Sequence, residues 1–351
     1  MKKFTKLVLA TSVAFSANVM AMQAMDDASL SATTGQDGIS IGIGISKIEI
    51  EKLFIHDTDG YTSPTTATGP VAPTTANPLG VPASAGWGGT ETAGSIVIYG
   101  NDIVGDKNEN HGIVIGANYD VGPAGEEGHY LLASRNLADL KIDSDAGGGD
   151  PFINIAAEVS GLDINIGKIG VQATGAEPAA NANTIRRGGQ GKVNDILSGL
   201  TLKTGPMSAN VQLGAAPQGA MIKLNATMIG GLTINDLGIL DNSTAGGTVA
   251  AGVTTTGPGE IFIESIKVTD ANSKNLTLNQ SISVFGESTA NDGFIRIVST
   301  SGAHDNYVKG IHLGSRNAAS IGDMEVQGMQ TYYSPASQVY VPGAIITISG
   351  H

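Results

Sequence analysis

The chain has no cysteine in its 351 residues. Disulfides, thiol nucleophiles and thiolate metal sites are therefore excluded together. Stability has to come from packing and backbone pairing alone. Aromatic residues make up only 5% of the chain, with a single tryptophan, so stacking platforms and aromatic girdles have little material. Charge is scarce too, at 15% of residues, and it is one-sided: 19 Lys and Arg face 32 Asp and Glu, for a net charge of −13. A surface of that sign repels polyanions, which argues against nucleic-acid binding.

What is abundant is glycine, 49 residues of it, together with isoleucine, valine and leucine in short runs. Glycine is costly inside helices, while the β-branched residues suit pleated, half-buried strands. The composition predicts a mainly β protein with enough apolar residues to avoid disorder.

Residues 1–21 fit a secretory signal. Lys2, Lys3 and Lys6 form a positive start, Leu7 to Val19 an apolar centre, and Val19-Met20-Ala21 a cleavage site that leaves Met22 as the first mature residue. Thr11, Ser12, Ser16 and Asn18 interrupt the apolar run, which makes it a poor membrane span. The protein is thus expected to be exported, to the periplasm, outer membrane or cell surface, and its mature charge to be near −16.

Residues 22–60 open with Met25-Asp26-Asp27-Ala28-Ser29-Leu30-Ser31. Asp26 or Asp27 can cap a short helical turn, and Gly35 can end it. From Gly38 to Ile50 the pattern alternates, with Ile39, Ile41, Ile43 and Ile45 on one face and small residues on the other. A change of phase near Ser46 to Ile48 predicts a bulge or bend. The motif residues Asp26, Asp27, Leu30, Ser31, Gly35, Gln36, Gly38 and Ile39, directly behind a signal, resemble the start of FilA-type pilus-assembly proteins of Gram-negative bacteria. The resemblance implies an exported, strand-rich, cysteine-poor chain and carries no catalytic residues with it.

Residues 61–94 are rich in Thr, Pro, Ala and Gly and read as an exposed loop. Trp87 at its end is either a sugar-stacking platform or, as its size favours, an anchor for the loop. The remainder, 95–351, reads as a β-rich body. Strands are expected at Ser95 to Tyr99, His111 to Ile115, Gly128 to Ala133, Leu137 to Ile142, Ile261 to Val268, Leu276 to Phe285, Phe294 to Val298, Lys309 to Leu313, Asp323 to Met329 and Val339 to Ser349. A second small-residue loop covers 241–259. Three similar phrases recur, around Gly161, Gly199 and Gly231, each followed eight places on by an apolar residue (Ile169, Met207, Ile239). They fit either stacked units or a meandering sheet with similar strand starts. The fold class is accordingly mainly β, an elongated sheet-rich body (β-roll, irregular β-solenoid or sandwich) with a short N-terminal helical turn.

Chemistry is thinly signalled. The six histidines show no H-E-x-x-H spacing. His304, Asp305 and His312 would form an acid–base or metal site only if neighbouring strands brought them together. Asp143, Asp145 and Asp150 around a glycine run, and Asp57 and Asp59 before Gly60, are weak calcium-loop candidates. Both lack the closing bidentate glutamate, and ordinary Asp/Gly turns account for them. No nucleophile elbow, phosphate loop or dinucleotide fingerprint stands out. No catalytic residue, cofactor or firm metal site is expected.

The reading is therefore structural: a non-enzymatic subunit or accessory of a surface pilus or fibre, pairing strands with other surface-assembly proteins or copies of itself. The first strand (Ile39, Ile41, Ile43, Ile45) and the last (Ile345, Ile346, Ile348) are the expected interface. A surface adhesin, or glycan- or protein-binding module, using the two small-residue loops is the alternative. An outer-membrane β-barrel comes third. Scarce aromatics, a non-aromatic last residue and short segments count against a barrel.

Overall fold

The structure is a computed structural model. It describes residues 38–61, 90–122, 125–244, 257–287 and 293–350. Met25 to Ser31, Trp87 and most of both small-residue loops lie outside the described residues. The only helical pieces among them are 3₁₀ turns at Gly147–Gly149 and Asn242–Thr244.

The chain runs up and down in eight long rows, each hydrogen-bonded only to the rows before and after it. Row 1 consists of β1 (Gly38–Ile43), β2 (Lys47–Ile50) and β3 (Leu53–His56). Row 2 consists of β4 (Gly94–Tyr99), β5 (Ile113–Ala117) and β6 (Ala138–Asp145). Row 3 is β7 (Phe152–Val159), β8 (Leu162–Ile166) and β9 (Lys168–Thr174). Row 4 is β10 (Gly189–Leu197), β11 (Leu200–Lys203) and β12 (Met207–Gly214). Rows 5 to 7 each hold two strands: β13 (Ile222–Met228) and β14 (Leu232–Asp241), β15 (Gly259–Asp270) and β16 (Leu276–Phe285), β17 (Phe294–Ser299) and β18 (His304–Gly314). Row 8 starts with β19 (Ser320–Met329) and ends with β22 (Ala344–Ile348). A small hairpin, β20 (Tyr332–Ala336) and β21 (Val339–Pro342), lies between them.

Every row turns a corner, so the meander has two arms. The first arm is the eight-stranded sheet β1-β6-β7-β12-β13-β16-β17-β22. The second contains β2, β3, β4, β5, β8, β9, β10, β11, β14, β15, β18 and β19. All pairings are antiparallel. The sheet does not close: β1 and β22 each pair on one side only, as do β2, β3 and β19. The mainly β, sheet-rich body expected from the sequence is what the structure shows.

Register organises the side chains into columns. On the first arm one column reads Ile39, Ile142, Ile155, Val211, Ile222, Ile282, Ile297, Ile346 across all eight rows. The second arm has its counterpart: Ile48, Ile115, Ile164, Leu202, Ile234, Ile266, Val308, Met324. β-Branched neighbours on a pleated surface contribute roughly 0.2–1 kcal/mol per cross-strand pair. One eight-row column thus adds on the order of several kcal/mol without a disulfide.

The corners explain two of the recurring phrases. Gly161 and Gly231 sit at the corner in rows 3 and 5. A Cβ on Gly161 would lie 2.6 Å from the Thr204 carbonyl oxygen. Gly231 has φ +74°, and its Cβ would lie 2.5 Å from the Val268 carbonyl oxygen. Gly199 instead marks a second, shallower kink within the second arm, between β10 and β11. That kink crosses row 1 between Ile50 and Leu53 and row 3 at Gly167. In rows 5 and 7 it falls at Asp236 (φ 59°) and Gly310 (φ 65°). The phrases are thus bends of a meander.

Two sequence expectations shift. Gly38 to Ile50 is two strands, broken at Gly44–Ser46 where the corner falls. The expected strand at Gly128 to Ala133 is a series of turns. Gly128 has φ +79°, Leu131 N–H bonds to the Gly128 carbonyl at 3.0 Å, and the Tyr130 carbonyl accepts from Gly161 N–H at 2.6 Å. Those residues clamp the corner instead of joining the sheet.

Gly231→Ala should lower stability by about 2 kcal/mol, since it adds both left-handed strain and a backbone clash. Gly302→Ala, where a Cβ meets nothing within 4 Å, should be close to neutral. Urea melts of the two variants side by side provide the measurement.

Candidate functional site

The two faces of the bent sheet differ in chemistry. On one side the positions of both arms are aliphatic or small, except for Gln280, Asn306 and the Asp270–His304 pair in rows 6 and 7. On the other side lie Asp139, Lys141, Asn154, Asn210, Gln212 and Lys223 in the first arm, and Glu49, Asn165, Lys203, Asn235 and Lys267 in the second.

The polar side is the one that the protein covers. Loop 100–112 lies over it: Asn108 Nδ2 donates to the carbonyls of His111 (2.9 Å) and Asn165 (3.1 Å), and Lys107 pairs with Asp163 at 2.7 Å. Segment 118–137 closes the corner from the same side. Asn118 Nδ2 donates to the Thr204 carbonyl at 3.0 Å. Fully buried Ser160 donates to the Asn136 carbonyl at 2.7 Å and accepts from Leu132 N–H at 3.0 Å. These partners satisfy groups that would otherwise be costly to bury.

Among the described residues the apolar side carries no such cover, and exposure along it follows a gradient. Ala226, Met228, Leu276 and Val308, next to the corner, are 3–6% exposed. At the outer margin of the first arm, Ile153, Leu213, Val284, Ile295 and Ile348 are 39–60% exposed. At the outer margin of the second arm, Leu53, Ile55, Ile96, Val171, Ile239, Ile261 and Leu313 are 37–58% exposed. Side chains bury at the vertex and emerge at the rims only if the apolar faces of the two arms look toward each other. The fold is therefore a V-shaped trough with a hydrocarbon lining and a polar, loop-covered outside. A contiguous lining of this extent exceeds the ~300–600 Å² apolar patch of a typical monomer.

The trough stays continuous across the second-arm kink because rows 1 and 3 to 7 each spend one extra residue there, while row 2 interposes loop 100–112 and row 8 adds none. Ile48 and Ile50 are followed by Leu53, Ile164 and Ile166 by Ile169, Ile234 by Leu237, and Val308 by Ile311. Two consecutive residues at a bulge share a side, which returns the next apolar residue to the same face.

Several polar constellations lie on the outside. Arg316 grips Glu260 through Nη2 at 2.8 Å and Nε at 3.2 Å, and Ser198 Oγ adds a third bond at 2.9 Å. The guanidinium also sits 4.8 Å from the centre of the Phe262 ring. Burial works against the Glu260 carboxylate, but the Arg316 and Ser198 donors outweigh it and hold its pKa below the usual value. This group joins rows 4, 6 and 7 through residues that the sequence reading did not single out. A charged pair separated by 56 positions leaves no spacing signal.

On the same outer side, a cleft of about 750 Å³ is lined by Phe54, His56, Val97, Tyr99, Gln172 and Arg186, among others. Tyr99 donates to Asp195 at 2.5 Å. Its hydroxyl is pushed up, first by burial and then by that carboxylate. His56 hydrogen-bonds Thr174 and stacks on Phe54.

The residues singled out from sequence are placed as follows. Ile39, Ile41 and Ile43 lie in row 1 on the trough side, and Ile346 and Ile348 in row 8 on the same side. Ile345 falls in the column of Lys141 and Asn210, on the outer side. Ile45 sits in the break between β1 and β2. His304 and His312 occupy opposite ends of β18 and do not meet. The first lies 3.8 Å from Asp270, the second donates to the Ala318 carbonyl at 2.6 Å and faces Glu264. Asp145 caps Gly147 N–H at 2.6 Å, and Asp59 N–H bonds to Asp57 at 3.3 Å, so one aspartate of each candidate calcium loop is engaged in a local turn. Among the described residues no three His, Asp or Glu gather to hold a metal.

Comparison with known proteins adds one finding. Residues 1–77 match the model of a family of unknown function, DUF6160. The match covers row 1 and the residues flanking it, and its description names no activity. No curated protein matches the chain, and no solved structure does.

The Glu260 pairing sets a pH dependence. A carboxylate with a lowered folded pKa stabilises above its unfolded value of about 4.5. That contribution fades as pH falls through the folded value. Glu260→Gln should flatten the acid limb of a stability profile between pH 5 and pH 2, by roughly 1–3 kcal/mol at its neutral end. Chemical melts across that range provide the comparison.

Proposed function

We propose that this is a non-enzymatic structural protein that assembles head to tail, as a subunit or accessory of a surface fibre. The observation that supports this is the pair of free edges. β1 and β22 end the same sheet, lack charge, proline and bulges, and carry exposed Ile39 (63%) and Ile346 (53%). Natural monomers usually blunt such edges.

The edges are also complementary. Ile39 and Ile346 belong to one column, so β1 of a second copy laid against β22 would extend that column without a slip. Eight is an even number of rows, so row 8 runs opposite to row 1. Head-to-tail addition therefore continues the antiparallel alternation, the corner and the trough together. Addition of this heterologous kind grows filaments, here at about 38 Å per subunit from eight strand spacings.

The same parity would let β1 meet β22 within one chain, as in an outer-membrane barrel, and the rows are longer than the separate sequence segments suggested. A cysteine-free chain separates the two cases directly. Ser40 and Ile345 share a column on the outer side, and opposed positions have Cβ atoms close enough to bridge. In the double variant Ser40→Cys with Ile345→Cys, oxidation should give a ladder of linked multimers. A monomer with an internal bridge, or no bridge at all, would refute head-to-tail assembly.

A second reading, a surface binding module, rests on the outer cleft, whose aromatic rings and Arg186 would suit a sugar or an acidic group. On that reading Tyr99→Ala should abolish binding on a glycan panel while leaving the multimer ladder unchanged. Retained binding, or none by the parent protein, would count against it.

A further inference from the structure

We propose that the trough holds the acyl chains of individual lipid molecules. The proposal stands on the lining and its shape and does not depend on how copies assemble.

Apart from the Asp270–His304 pair, which the register sets on this face beside the corner of rows 6 and 7, the lining is aliphatic or small over nearly all of its length. Its central columns are the two already given, flanked by Ile41, Leu140, Ala157, Ala209, Leu224, Gln280, Ser299 and Ala344 in the first arm. In the second arm they are flanked by Ile50, Ile113, Ile166 and Leu200, then by Leu53, Ile98, Ile169 and Leu197. Backbone N–H and C=O groups are spent within the ladders. An occupant therefore finds little to hydrogen-bond along most of the trough, and Gln280, Ser299, Asn306 and the Asp270–His304 pair are confined to rows 6 and 7. A peptide segment would leave its own polar groups unsatisfied there. A methylene chain has none to lose.

Shape removes two other apolar partners. A bilayer surface is flat and reaches the rims but not Met228 and Leu276 at the vertex. A second copy offers an apolar face that is concave like this one, and its convex side is polar, so neither of its faces can fill the V. A slender hydrocarbon can reach the vertex and run along it. Seven row spacings give about 34 Å of length. The polar outside is already covered by the chain's own loops, which leaves the aliphatic side as the face that no described residue covers. Depth and length together favour long chains over short ones.

A fluorescent polyene fatty acid, used below its micellar concentration, provides the probe. Uptake should be saturable. Saturated fatty acids should displace it, with affinity rising about fourfold per added methylene while the chain still fits. Ala157 and Ala209 face each other across rows 3 and 4 inside the trough. Ala157→Phe with Ala209→Phe fills the groove without adding charge and should weaken uptake at least tenfold. Val104→Glu, at an 89% exposed apolar residue outside the trough, should change nothing. Circular dichroism of each variant confirms that the sheet persists, and a milder pair, Ala157→Val with Ala209→Val, substitutes if the larger one misfolds. Absent or unsaturable uptake, affinity independent of chain length, or uptake undiminished in the filled variants would each overturn the proposal. The multimer ladder of the double-cysteine variant is a separate readout, so assembly and lipid binding can fail independently.

Discussion

Register is the constraint on which everything else depends. Side chains alternate across a strand with a period of two, so a slip of one residue in any row would move its isoleucines to the outside. The eight-row columns exist because the pairings along them stay in step, the register shifts of the two arms being confined to β9–β10 and β18–β19. They in turn create the difference between the two faces, the trough, and the match between the first and last edges. In a chain without cysteine, that shared register replaces covalent cross-links as the source of order.

The corners are where register is hardest to keep. A bend through a continuous strand would break the alternation unless residues are added or removed at the same place in every row. The second-arm kink shows one solution, an extra residue in rows 1 and 3 to 7, with a left-handed residue supplied in rows 5 and 7. The outer loops then fasten the main corner through Ser160, Asn118 and Thr204. Polar groups are thus concentrated where backbone pairing is interrupted, and aliphatic groups where it is not. The Glu260–Arg316–Ser198 group follows the same logic, bridging three rows on the outside near the kink.

Much of this was legible in the sequence, and the rest was not for identifiable reasons. The alternation of Ile39, Ile41 and Ile43 and the run Ala344 to Ile348 carry a local signal and gave the edge strands, whereas Val339 to Pro342, expected in the same last strand, pairs with β20 instead. The recurring phrases at Gly161 and Gly231 were visible as bends. What a single row cannot show is which residue lies opposite in the next row. The columns, and hence the trough, depend on pairings such as Ile155 with Val211, separated by loops of unequal length. Gly128 to Ala133 misled because Tyr130 and Leu131 read as strand residues, whereas their backbone serves the corner. Ile345 misled because only the register places it on the polar side. Ser198, Glu260 and Arg316 had no local signature at all.

Each row pairs its backbone only with its predecessor and its successor, so the order of the ladders in space is the order of residues along the chain. Contacts of this kind close short loops first and need no distant segment to arrive before an early one can settle. A chain emerging end-first from any narrow passage could lay down row 2 on row 1, then row 3 on row 2. At every moment it would be a smaller version of the finished object. The growing edge would present the next row's template at each step, and β22, in the last row laid down, presents it still.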